Sequence, residues 1–403
     1  MTALPDAPHF APHFVLVAGE ASGDQLGAGL IKSLRTRFPA AKFSGVGGAC
    51  MLAVGLELWF ESDELAVMGL VEVLAHLPRL LRRRKQVIQR SLALQPDVYI
   101  GIDAPDFNLA IEKNLKALGI CTVHYVSPSI WAWRQNRAQK IGLSADKVLC
   151  LFPFEPALYH QFGVPAEFVG HPLADQFPLE PSPTFARATL GLPLSGPILA
   201  LLPGSRRGEV QRLATEFLNA AALIKAAFPK LTVIAPMANA RTEAVFDRQL
   251  LPHHSVVKII GQSQLALQAA DVVIVASGTA ALEAALARKP MVVAYKLHPI
   301  TYFLARKLGM LKSAFFSLPN KLAGRRLVPE LEQQQVTGKA IAELLIPVLQ
   351  RKFISGVENA QDGELMLSYL DMHLSLRQNA DERAADAIAE LVGEPASEVD
   401  AID

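Results

Sequence analysis

Two tight turns in the second half of the sequence carry residue types that can hold a diphosphate. The Arg206 turn (202–206) follows the apolar run 198–201, and the Ser277 turn (277–280) follows the apolar run 272–275. Each pattern predicts a buried parallel strand that leads through the turn into a helix. Backbone N–H groups and the helix dipole attract anions at such a helix start, and a guanidinium adds a fixed charge. The predicted anion-binding residues are Gly204, Ser205, Arg206, Ser277, Gly278, Thr279 and Ala280.

A glutamate lies about one turn into the helix predicted after the Ser277 turn. The carboxylate of Glu283 could accept hydrogen bonds from the hydroxyl pair of a ribose. The alternative is an ordinary first-turn glutamate favoured by the helix dipole, and Arg206 has a matching alternative as a surface arginine that caps its neighbours. Because both turns and both side chains occur together, we favour a nucleotide-diphosphate site. Neither turn is a Walker loop or a dinucleotide-binding fingerprint.

An acidic motif follows a strongly apolar strand in the first half of the chain. Asp103 stands at the carboxyl end of that strand, where parallel sheets bind ligands, and partial desolvation there suits a general base. Asp106 or Asn108 is better explained as the cap of the helix predicted over 109–118. The Asp-x-Asp pattern that commonly holds a divalent metal in sugar transfer is absent from the sequence. We therefore expect Asp103 and Arg206 to be the catalytic residues of a site that uses no metal and no cofactor.

A helical pattern over 64–92 places apolar residues on one face and basic residues on the other. The predicted apolar face holds Leu80, Leu81, Val87, Ile88 and Leu92, and the predicted basic face holds Arg79, Arg82, Arg83, Lys85 and Arg90. Such a helix suits an anionic bilayer surface or an acylated acceptor. The commoner alternative is a solvated helix that covers the sheet with its apolar face. A second apolar and basic stretch, 302–308, favours membrane contact.

Strands and helices alternate along almost the whole chain, which predicts an α/β fold with parallel sheets. The first predicted helix runs from about 25 to 38, and the Arg206 turn leads into another at 209–227. Predicted strands lie at 14–18, 42–46, 97–102, 121–126 and 147–151 in the first half and at 198–202, 231–235, 256–260, 272–275 and 291–295 in the second. The same architecture is therefore expected twice, and the ligand is expected in the cleft between the two sheets.

The composition fits a cytosolic chain with two domains. Its 403 residues suffice for two cores, and its net charge of +1 gives no electrostatic support for nucleic-acid binding. Three widely spaced cysteines match neither a disulfide framework nor a zinc site. No uncharged apolar run reaches the length of about 18 residues that a membrane span needs, and residues 1–13 do not read as a signal peptide.

A set of motifs resembles the lipid-A-disaccharide synthase family, and the similarity covers nearly the whole chain. These motifs are residues 17–24, 66–69, 101–108, 125–133, 202–206, 277–283 and 317–320. The resemblance implies a GT-B fold, in which two Rossmann-like domains face each other across a cleft, and an inverting glycosyltransferase. It implies that UDP-2,3-diacylglucosamine and 2,3-diacylglucosamine 1-phosphate react to give a β-1,6-linked disaccharide 1-phosphate and UDP.

The resemblance also implies roles for individual residues. Asp103 matches the essential aspartate of the family and Arg206 the essential arginine of the donor site, while Glu283 and the Ser277 turn match the donor-binding helix. The residues matched around the cleft are Glu20, Ser22, Asn320 and Arg325, and Met68 belongs to the apolar wall expected near the acyl chains.

The same resemblance implies a homodimer that exchanges C-terminal segments, located at the cytoplasmic face of the inner membrane. The expected layout begins with a disordered extension (1–12) and an acceptor- and membrane-facing domain (13–178). A UDP-sugar donor domain (179–345) follows. Next come a helical segment (346–392), which packs back on the first domain or is exchanged in a dimer, and an acidic tail (393–403).

Two other classes of protein remain open from the residues alone. A related GT-B enzyme with another acceptor, such as a peptidoglycan-type N-acetylglucosaminyl transferase or a UDP-sugar 2-epimerase, would share the fold. A non-catalytic nucleotide-sugar-binding protein would share the two turns. The basic helix favours a lipid acceptor over a small soluble one, and Asp103 at a strand end argues against a purely binding role.

Overall fold

The computed structural model describes residues 11–65, 70–128, 137–297, 315–355 and 360–392, with the backbone alone for 70–76 and 137. These residues form two compact units. The first unit comprises the described residues up to Pro172 and again from Leu376 onward, and the second unit runs from Leu173 to Ser375. The chain therefore passes between the units twice, after Pro172 and after Ser375, whereas the sequence placed the domain limits after 178 and 345.

A parallel sheet of seven strands forms the centre of the first unit. Its strands are β1 (His13–Ala18), β2 (Lys42–Gly47), β3 (Glu57–Glu61), β4 (Val98–Ile102), β5 (Cys121–Tyr125), β6 (Lys147–Cys150) and β7 (Ala166–Phe168). Their order across the sheet is β3-β2-β1-β4-β5-β6-β7. The central strand β4 is buried along its whole length, which explains why it reads as a continuous apolar run rather than an alternating one.

The helices that connect these strands include one whose start differs from the prediction. They are α1 (Ala21–Arg37), α2 (Ala49–Ala53), α3 (Leu70–Leu94), α4 (Pro105–Ala117), α5 (Arg137–Gly142) and α6 (Pro156–His160). The predicted start of α1 near residue 25 is wrong, because the polar stretch before it is helical and places Asp24 in the first turn. The buried Asp24 carboxylate accepts the backbone N–H groups of Gly48, Cys50 and Met51 at 2.7–3.0 Å and thereby fixes the start of α2.

A second parallel sheet forms the centre of the second unit. Its six strands are β8 (Ile198–Leu202), β9 (Thr232–Met237), β10 (Val257–Ile260), β11 (Val272–Ala276), β12 (Met291–Tyr295) and β13 (Glu330–Glu332). Their order is β10-β9-β8-β11-β12-β13, so β8 is flanked by β9 and β11. The prediction of two parallel sheets with alternating helices is confirmed.

The described helices of the second unit alternate with these strands or flank them along the chain. They are α7 (Pro172–Gln176), α8 (Pro183–Thr189), α9 (Arg207–Ala227), α10 (Ala240–Asp247), α11 (Ser263–Ala269), α12 (Thr279–Leu286), α13 (Leu318–Ala323), α14 (Gly338–Gln350) and α15 (Ala360–Leu376). Buried Ile341, Leu345 and Leu349 of α14 lie in one core with Phe217 and Ile224 of α9.

The last described helix, α16 (Ala380–Val392), belongs to the first unit. Its buried Ala384, Ala385 and Ile388 join the core that contains Leu30 and Ile31 of α1. The segment 346–392, which the sequence analysis treated as one piece, is thus divided. Its first part packs in the second unit and its last part completes the first.

Three short strands were missed by the sequence analysis, and all three lie at sheet edges. β3, β7 and β13 each have one neighbouring strand only within their sheets. Their residues are mostly half-buried or exposed, because an edge strand is covered less than a central one. An apolar run is therefore not required there, and the signal that revealed the central strands is absent.

The basic helix α3 follows its predicted two-faced pattern only in part. Val87 is buried and Lys85 is exposed as predicted, but Leu81 is exposed and Arg83 turns toward the protein. The Arg83 Nε lies 2.8 Å from Glu64 Oε2, and its guanidinium lies over the Phe60 ring. The predicted faces of Leu81 and Arg83 were therefore wrong. Arg83 is drawn toward the protein by its hydrogen bond to Glu64, whereas Leu81 faces solvent. Within the described residues, no helix has both the length and the apolar character required to cross a membrane.

Candidate active site

Asp103 follows directly after β4 in a strained turn. Asp103 and Ala104 have φ angles of +50° and +45°, a left-handed conformation that costs of order 1–2 kcal/mol for each such residue. The Asp103 backbone N–H donates to Tyr125 C=O at 2.8 Å, which ties the turn to the neighbouring strand β5. The Asp103 side chain is half-buried, and among the described residues its carboxylate has neither a hydrogen-bond partner nor an ion pair. It is therefore available to a substrate.

The predicted capping role of Asp106 is wrong. Helix α4 begins at Pro105, so Asp106 already lies inside its first turn, and the N-cap position belongs to Ala104. Asn108 does not cap the helix either, because its side chain is fully buried beneath the turn. Its Nδ2 donates to the backbone C=O groups of Asp103 at 2.9 Å and Val17 at 3.1 Å.

A buried hydrogen-bonded pair lies one helical turn beyond Asn108. Glu112 Oε1 is 2.7 Å from His124 Nδ1, and both side chains are fully buried. Burial raises the pKa of the Glu112 carboxyl, and His124 opposes that shift. The pair fits against β4 because Gly101 has no side chain, and a Cβ atom there would overlap with the Glu112 carboxylate. The interaction pins α4 to β5 beneath the Asp103 turn.

The predicted residues Glu20 and Ser22 lie at the same sheet edge as Asp103. Strand β1 pairs with β4 in a register that sets Ala18 beside Ile102, so the turns after both strands are neighbours. Gly19 packs against Ala104 so closely that a Cβ atom at Gly19 would overlap with that of Ala104. Glu20 occupies the N-cap position of α1, and Ser22 is exposed in its first turn. Met68 and the stretch 302–308 lie outside the described residues.

The Arg206 and Ser277 turns lie side by side in the second unit. Strands β8 and β11 are paired, with Leu202 beside Val275, so the turn that follows each strand emerges at one edge of the sheet. The backbone N–H groups of Thr279 and Ala280, in the first turn of α12, have no acceptor among the described residues. Gly278 has a φ of +154°, which side-chain-bearing residues rarely adopt. The paired strands therefore place two helix starts together.

Arg206 is the N-cap residue of α9 and is only weakly engaged by the protein. Its side chain is 52% exposed, and its Nη1 lies 3.6 Å from Glu209 Oε1, a long contact between residues three apart. An exposed pair of this kind contributes little to stability, so the guanidinium remains free to turn to an anion. Gly204 leaves room for the Glu209 side chain, whose Cβ would lie 2.6 Å from a Cβ added at Gly204. Ser205 is exposed beside it.

The second turn is held from beneath by its neighbours. The Ser277 backbone N–H donates to Ala294 C=O at 2.9 Å, and its hydroxyl donates to Phe316 C=O at 3.1 Å. The Ser277 side chain is thus used within the protein, and the open donors of this turn are backbone N–H groups. Tyr295, the last residue of β12, lies beside the turn. The sequence analysis predicted its strand but did not include Tyr295 among the candidate site residues. Its position at the end of a strand next to β11 is the signal that could have revealed it.

Glu283 lies half-buried within α12. Burial raises the pKa of its carboxyl, and the Ser263 hydroxyl, which donates to Oε2 at 3.2 Å, opposes that shift. One carboxylate oxygen is thereby engaged by Ser263. The other, Oε1, has no hydrogen-bond partner among the described residues.

Asn320 and Arg325 are engaged by the protein itself. Asn320 is fully buried, and its Oδ1 accepts the backbone N–H groups of Leu327 and Val328 at 2.7 and 2.8 Å. Arg325 lies at the surface, where its Nη2 is 2.9 Å from Glu364 Oε1. Asn320 therefore shapes the loop before β13, and Arg325 connects that loop to α15.

Comparison with known proteins identifies the family. The sequence model described as Lipid-A-disaccharide synthetase (LpxB) matches residues 14–388. A lipid-A-disaccharide synthase from Xylella fastidiosa (strain M12) is 50% identical over 387 residues, which cover 95% of this chain and 98% of the relative. The chain belongs to the lipid-A-disaccharide synthase family. Like the synthases it matches, it is a glycosyltransferase that forms the lipid A disaccharide.

Solved structures of other proteins have the same fold as this member of the lipid-A-disaccharide synthase family. The UDP-GlcNAc 2-epimerase from Neisseria meningitidis, bound to UDP-GlcNAc, has a TM-score of 0.62 at 11% identity and covers 93% of this chain and 99% of its own. MurG from Acinetobacter baumannii has a TM-score of 0.55 at 16% identity, with 94% and 99% covered. These likenesses show a GT-B fold alone. A UDP-sugar 2-epimerase was one of the open alternatives, and the 50% identity to the synthases decides for the lipid-A-disaccharide synthase family.

The raised pKa of Glu283 predicts a stability that depends on pH. A carboxyl whose folded-state pKa is raised contributes stability below its ordinary pKa of 4.5, and that contribution is lost as the pH rises through the raised value. Glu283→Gln should therefore unfold at a higher temperature than the wild type at pH 8, and the difference should shrink at pH 5. Thermal unfolding measured at both pH values checks this.

The exposed Glu343 on α14 offers a matched control for that measurement. Glu343→Gln should change the unfolding temperature little and equally at both pH values, because a solvated carboxylate pays no burial cost. A Glu283→Gln variant that is less stable than the wild type at pH 8 would show that the charged carboxylate is stabilising in place.

Proposed function

We propose that Asp103 is the general base of the disaccharide-forming reaction and that the Arg206 and Ser277 turns hold the diphosphate of the donor. The observation that carries this proposal is the pairing of β8 with β11, which brings two helix starts to one sheet edge. Asp103 supports it from the first unit, since its carboxylate stands unpaired among the described residues at the carboxyl end of β4. Open parallel sheets bind ligands at that end.

In the proposed step, Asp103 accepts the proton of the 6-hydroxyl of 2,3-diacylglucosamine 1-phosphate. The hydroxyl oxygen attacks the anomeric carbon of UDP-2,3-diacylglucosamine from the face opposite the diphosphate. The new C–O bond forms while the bond to the diphosphate breaks, and the electron pair of that bond leaves with UDP. The configuration inverts, which gives the β-1,6-linked disaccharide 1-phosphate.

Negative charge grows on the diphosphate as UDP departs, and the second unit supplies positive partners for it. The exposed guanidinium of Arg206 and the open N–H groups of Thr279 and Ala280 are donors that need no reorganisation inside the protein. We infer that these donors take the place of a metal ion, so that the reaction needs no metal and no cofactor. Glu283 is the proposed acceptor for the ribose hydroxyls, through its oxygen opposite Ser263.

Replacement of the proposed base should separate turnover from donor binding. Asp103→Asn keeps the size of the side chain but cannot accept the proton, so turnover should fall by about 10²–10⁴-fold. UDP affinity should stay unchanged, because the donor turns lie in the other unit. Turnover is measured with radiolabelled UDP-2,3-diacylglucosamine and its acceptor, with identification of the disaccharide product, and UDP affinity is measured by calorimetry. Normal turnover in this variant would remove the base assignment.

Arg206 provides the reciprocal variant. Arg206→Ala should weaken UDP binding by about tenfold or more, since hydrogen bonds to a charged group contribute about 1.5–3 kcal/mol. Arg206→Lys is the matched control, because it keeps the charge and loses the forked geometry, and its UDP affinity should be intermediate. UDP affinity that is unaltered in Arg206→Ala would contradict the diphosphate site.

We also propose that α3 carries the chain to the cytoplasmic face of the inner membrane, where the acylated substrates lie. Leu77 and Leu81, one turn apart, are 42% and 48% exposed, so they form a small apolar patch on one face of the helix. Arg79, Arg82 and Lys85 are exposed on the same part of the helix. Exposed aliphatic side chains flanked by cations suit the interface of an anionic bilayer.

Vesicle binding tests this surface. The double variant Leu77→Ser with Leu81→Ser should bind vesicles that contain an anionic phospholipid more weakly than the wild type in a sedimentation assay, because less apolar area enters the bilayer. Leu94→Ser is the matched control, since Leu94 is 43% exposed at the far end of the same helix and should leave binding unchanged. Equal losses in both variants, or no loss in either, would exclude Leu77 and Leu81 as the contact.

We propose in addition that two copies of the chain exchange their C-terminal segments. Support comes from exposed apolar side chains within the segment 346–392, with Ile354 at 71% and Leu367 at 63% exposure. The docking of α16 on α1 can be made equally well by the α16 of a second copy, because the contacts are the same. In such a dimer, the ion pair between Lys147 Nζ and Glu390 Oε2, at 2.8 Å, would join two chains.

Zero-length cross-linking of that ion pair distinguishes the arrangements. A carbodiimide couples an amine to a carboxylate in contact, so an exchanged dimer should give a covalent dimer on a denaturing gel that contains the 147–390 cross-linked peptide. Lys147→Gln should abolish that product. The same peptide found in the monomer band alone would show that α16 docks within its own chain.

A further inference from the structure

Asn108 connects the Asp103 turn to the sheet beneath it. It is fully buried in α4, and its Nδ2 donates to Asp103 C=O at 2.9 Å and to Val17 C=O at 3.1 Å. The Ile102 C=O lies farther from the same nitrogen, at 3.4 Å. Its Oδ1 accepts the Tyr99 hydroxyl at 3.1 Å, which fixes the orientation of the amide. One side chain thus bonds the ends of two neighbouring strands, β1 and β4.

The turn above Asn108 needs such a restraint. Asp103 and Ala104 are both left-handed although neither is glycine, so the backbone gains by relaxing to an ordinary conformation. Relaxation would rotate the Asp103 peptide and move the carboxylate attached to it. The contacts that oppose this are the Asp103 N–H bond to Tyr125, the packing of Ala104 on Gly19 and the Asn108 bond to the Asp103 carbonyl.

We propose that Asn108 is a positioning residue for Asp103, whose amide holds the left-handed turn so that the carboxylate stands free at the sheet edge. This inference rests on the proposed function of Asp103 as the general base. Asn108 does not touch the substrate, because it is buried beneath the turn. It affects the reaction indirectly, because it fixes the orientation of the Asp103 carboxylate.

The chemistry of the site favours an amide at this position. The carbonyl oxygens of Val17, Ile102 and Asp103 surround Nδ2, and an amide nitrogen carries two N–H donors. An aspartate at position 108 would place a carboxylate oxygen, which only accepts hydrogen bonds, against three carbonyl oxygens. A leucine has a similar size but offers no hydrogen-bond donor to these carbonyls. The Glu112–His124 pair adds a second polar anchor one turn along α4, so the helix itself is fixed to the sheet when the Asn108 bonds are lost.

The variant Asn108→Leu tests the proposal in the full-length enzyme. Loss of the carbonyl bonds should let the turn relax, and kcat should fall by about 10²-fold, the effect expected for a reacting group displaced by about 1 Å. KM for the donor and the affinity for UDP should remain unchanged, since the donor turns lie in the second unit. A loss of folded enzyme would also lower the apparent kcat at unchanged KM, so kcat is expressed per folded enzyme, counted from the stoichiometry of UDP binding. On that scale a general loss of stability leaves kcat normal, whereas a displaced Asp103 lowers it.

Ile111→Ala is the matched control for stability. Ile111 is fully buried on the same helix, three residues from Asn108, and its aliphatic side chain contributes apolar packing to the core that Ala104 borders but no hydrogen bond to the turn. Its truncation should lower the unfolding temperature while kcat per folded enzyme stays normal. Should Asn108→Leu fail to fold, Asn108→Ser carries the test, because its hydroxyl is too short to reach the carbonyls and the same fall in kcat is expected.

The outcomes separate the two proposals. Asp103→Asn inactive with Asn108→Leu at normal kcat would overturn the positioning role and leave the base assignment intact. Asp103→Asn at normal turnover would remove the base assignment, whatever Asn108 does. Equal losses of kcat in Asn108→Leu and Ile111→Ala would show that α4 stability alone is involved, which also overturns the positioning role.

Discussion

The pairing of two central strands in each unit determines where the reactive groups lie. In the first unit β1 pairs with β4, and in the second β8 pairs with β11. Each pair marks the place where the strand order changes direction, which is where open α/β sheets bind their ligands. Glu20 and Asp103 follow one pair, and the Arg206 and Ser277 turns follow the other. The same constraint therefore sets the proposed base at one sheet edge in the first unit and the proposed diphosphate donors at one sheet edge in the second.

The residues proposed to meet substrate differ from their neighbours in how few internal partners they have. Asp103 has no side-chain partner among the described residues, and Arg206 has one long contact. By contrast, Asp24 and Asn320 are buried and bonded to backbone groups at close distances. Polar side chains such as Asp24 and Asn320 hold the turns in place, whereas Asp103 and Arg206 remain available to bind a substrate. Motif membership alone does not make this distinction, since Asp24 and Asn320 both lie in motifs that resemble the family.

The sequence revealed the central strands and the positions of the Arg206 and Ser277 turns because these features are local. A buried parallel strand requires a continuous apolar run, and the turn after it can be read directly, as at 198–206. The edge strands β3, β7 and β13 could not be found in this way, because they are short and partly exposed and lack such a run, whereas the edge strand β10 kept enough apolar residues to be predicted at 256–260. The buried polar contacts were also beyond reach. Asn108 bonds to Val17 across 91 positions and His124 to Glu112 across 12, and nothing local distinguishes them from capping or surface residues. Asp106 was assigned as a cap for that reason, when the helix had in fact begun before it.

The position of α16 has a consequence for the order in which the chain can fold. Ala384, Ala385 and Ile388 complete the core around α1, yet they are synthesised after the whole of the second unit. During synthesis, Leu30 and Ile31 are not yet covered by α16, so the first unit exposes part of its apolar core to solvent. The second unit is one continuous stretch and can fold as soon as it has left the ribosome. Although it is encoded first, the first unit is therefore completed last, when α16, the last described helix, packs against α1.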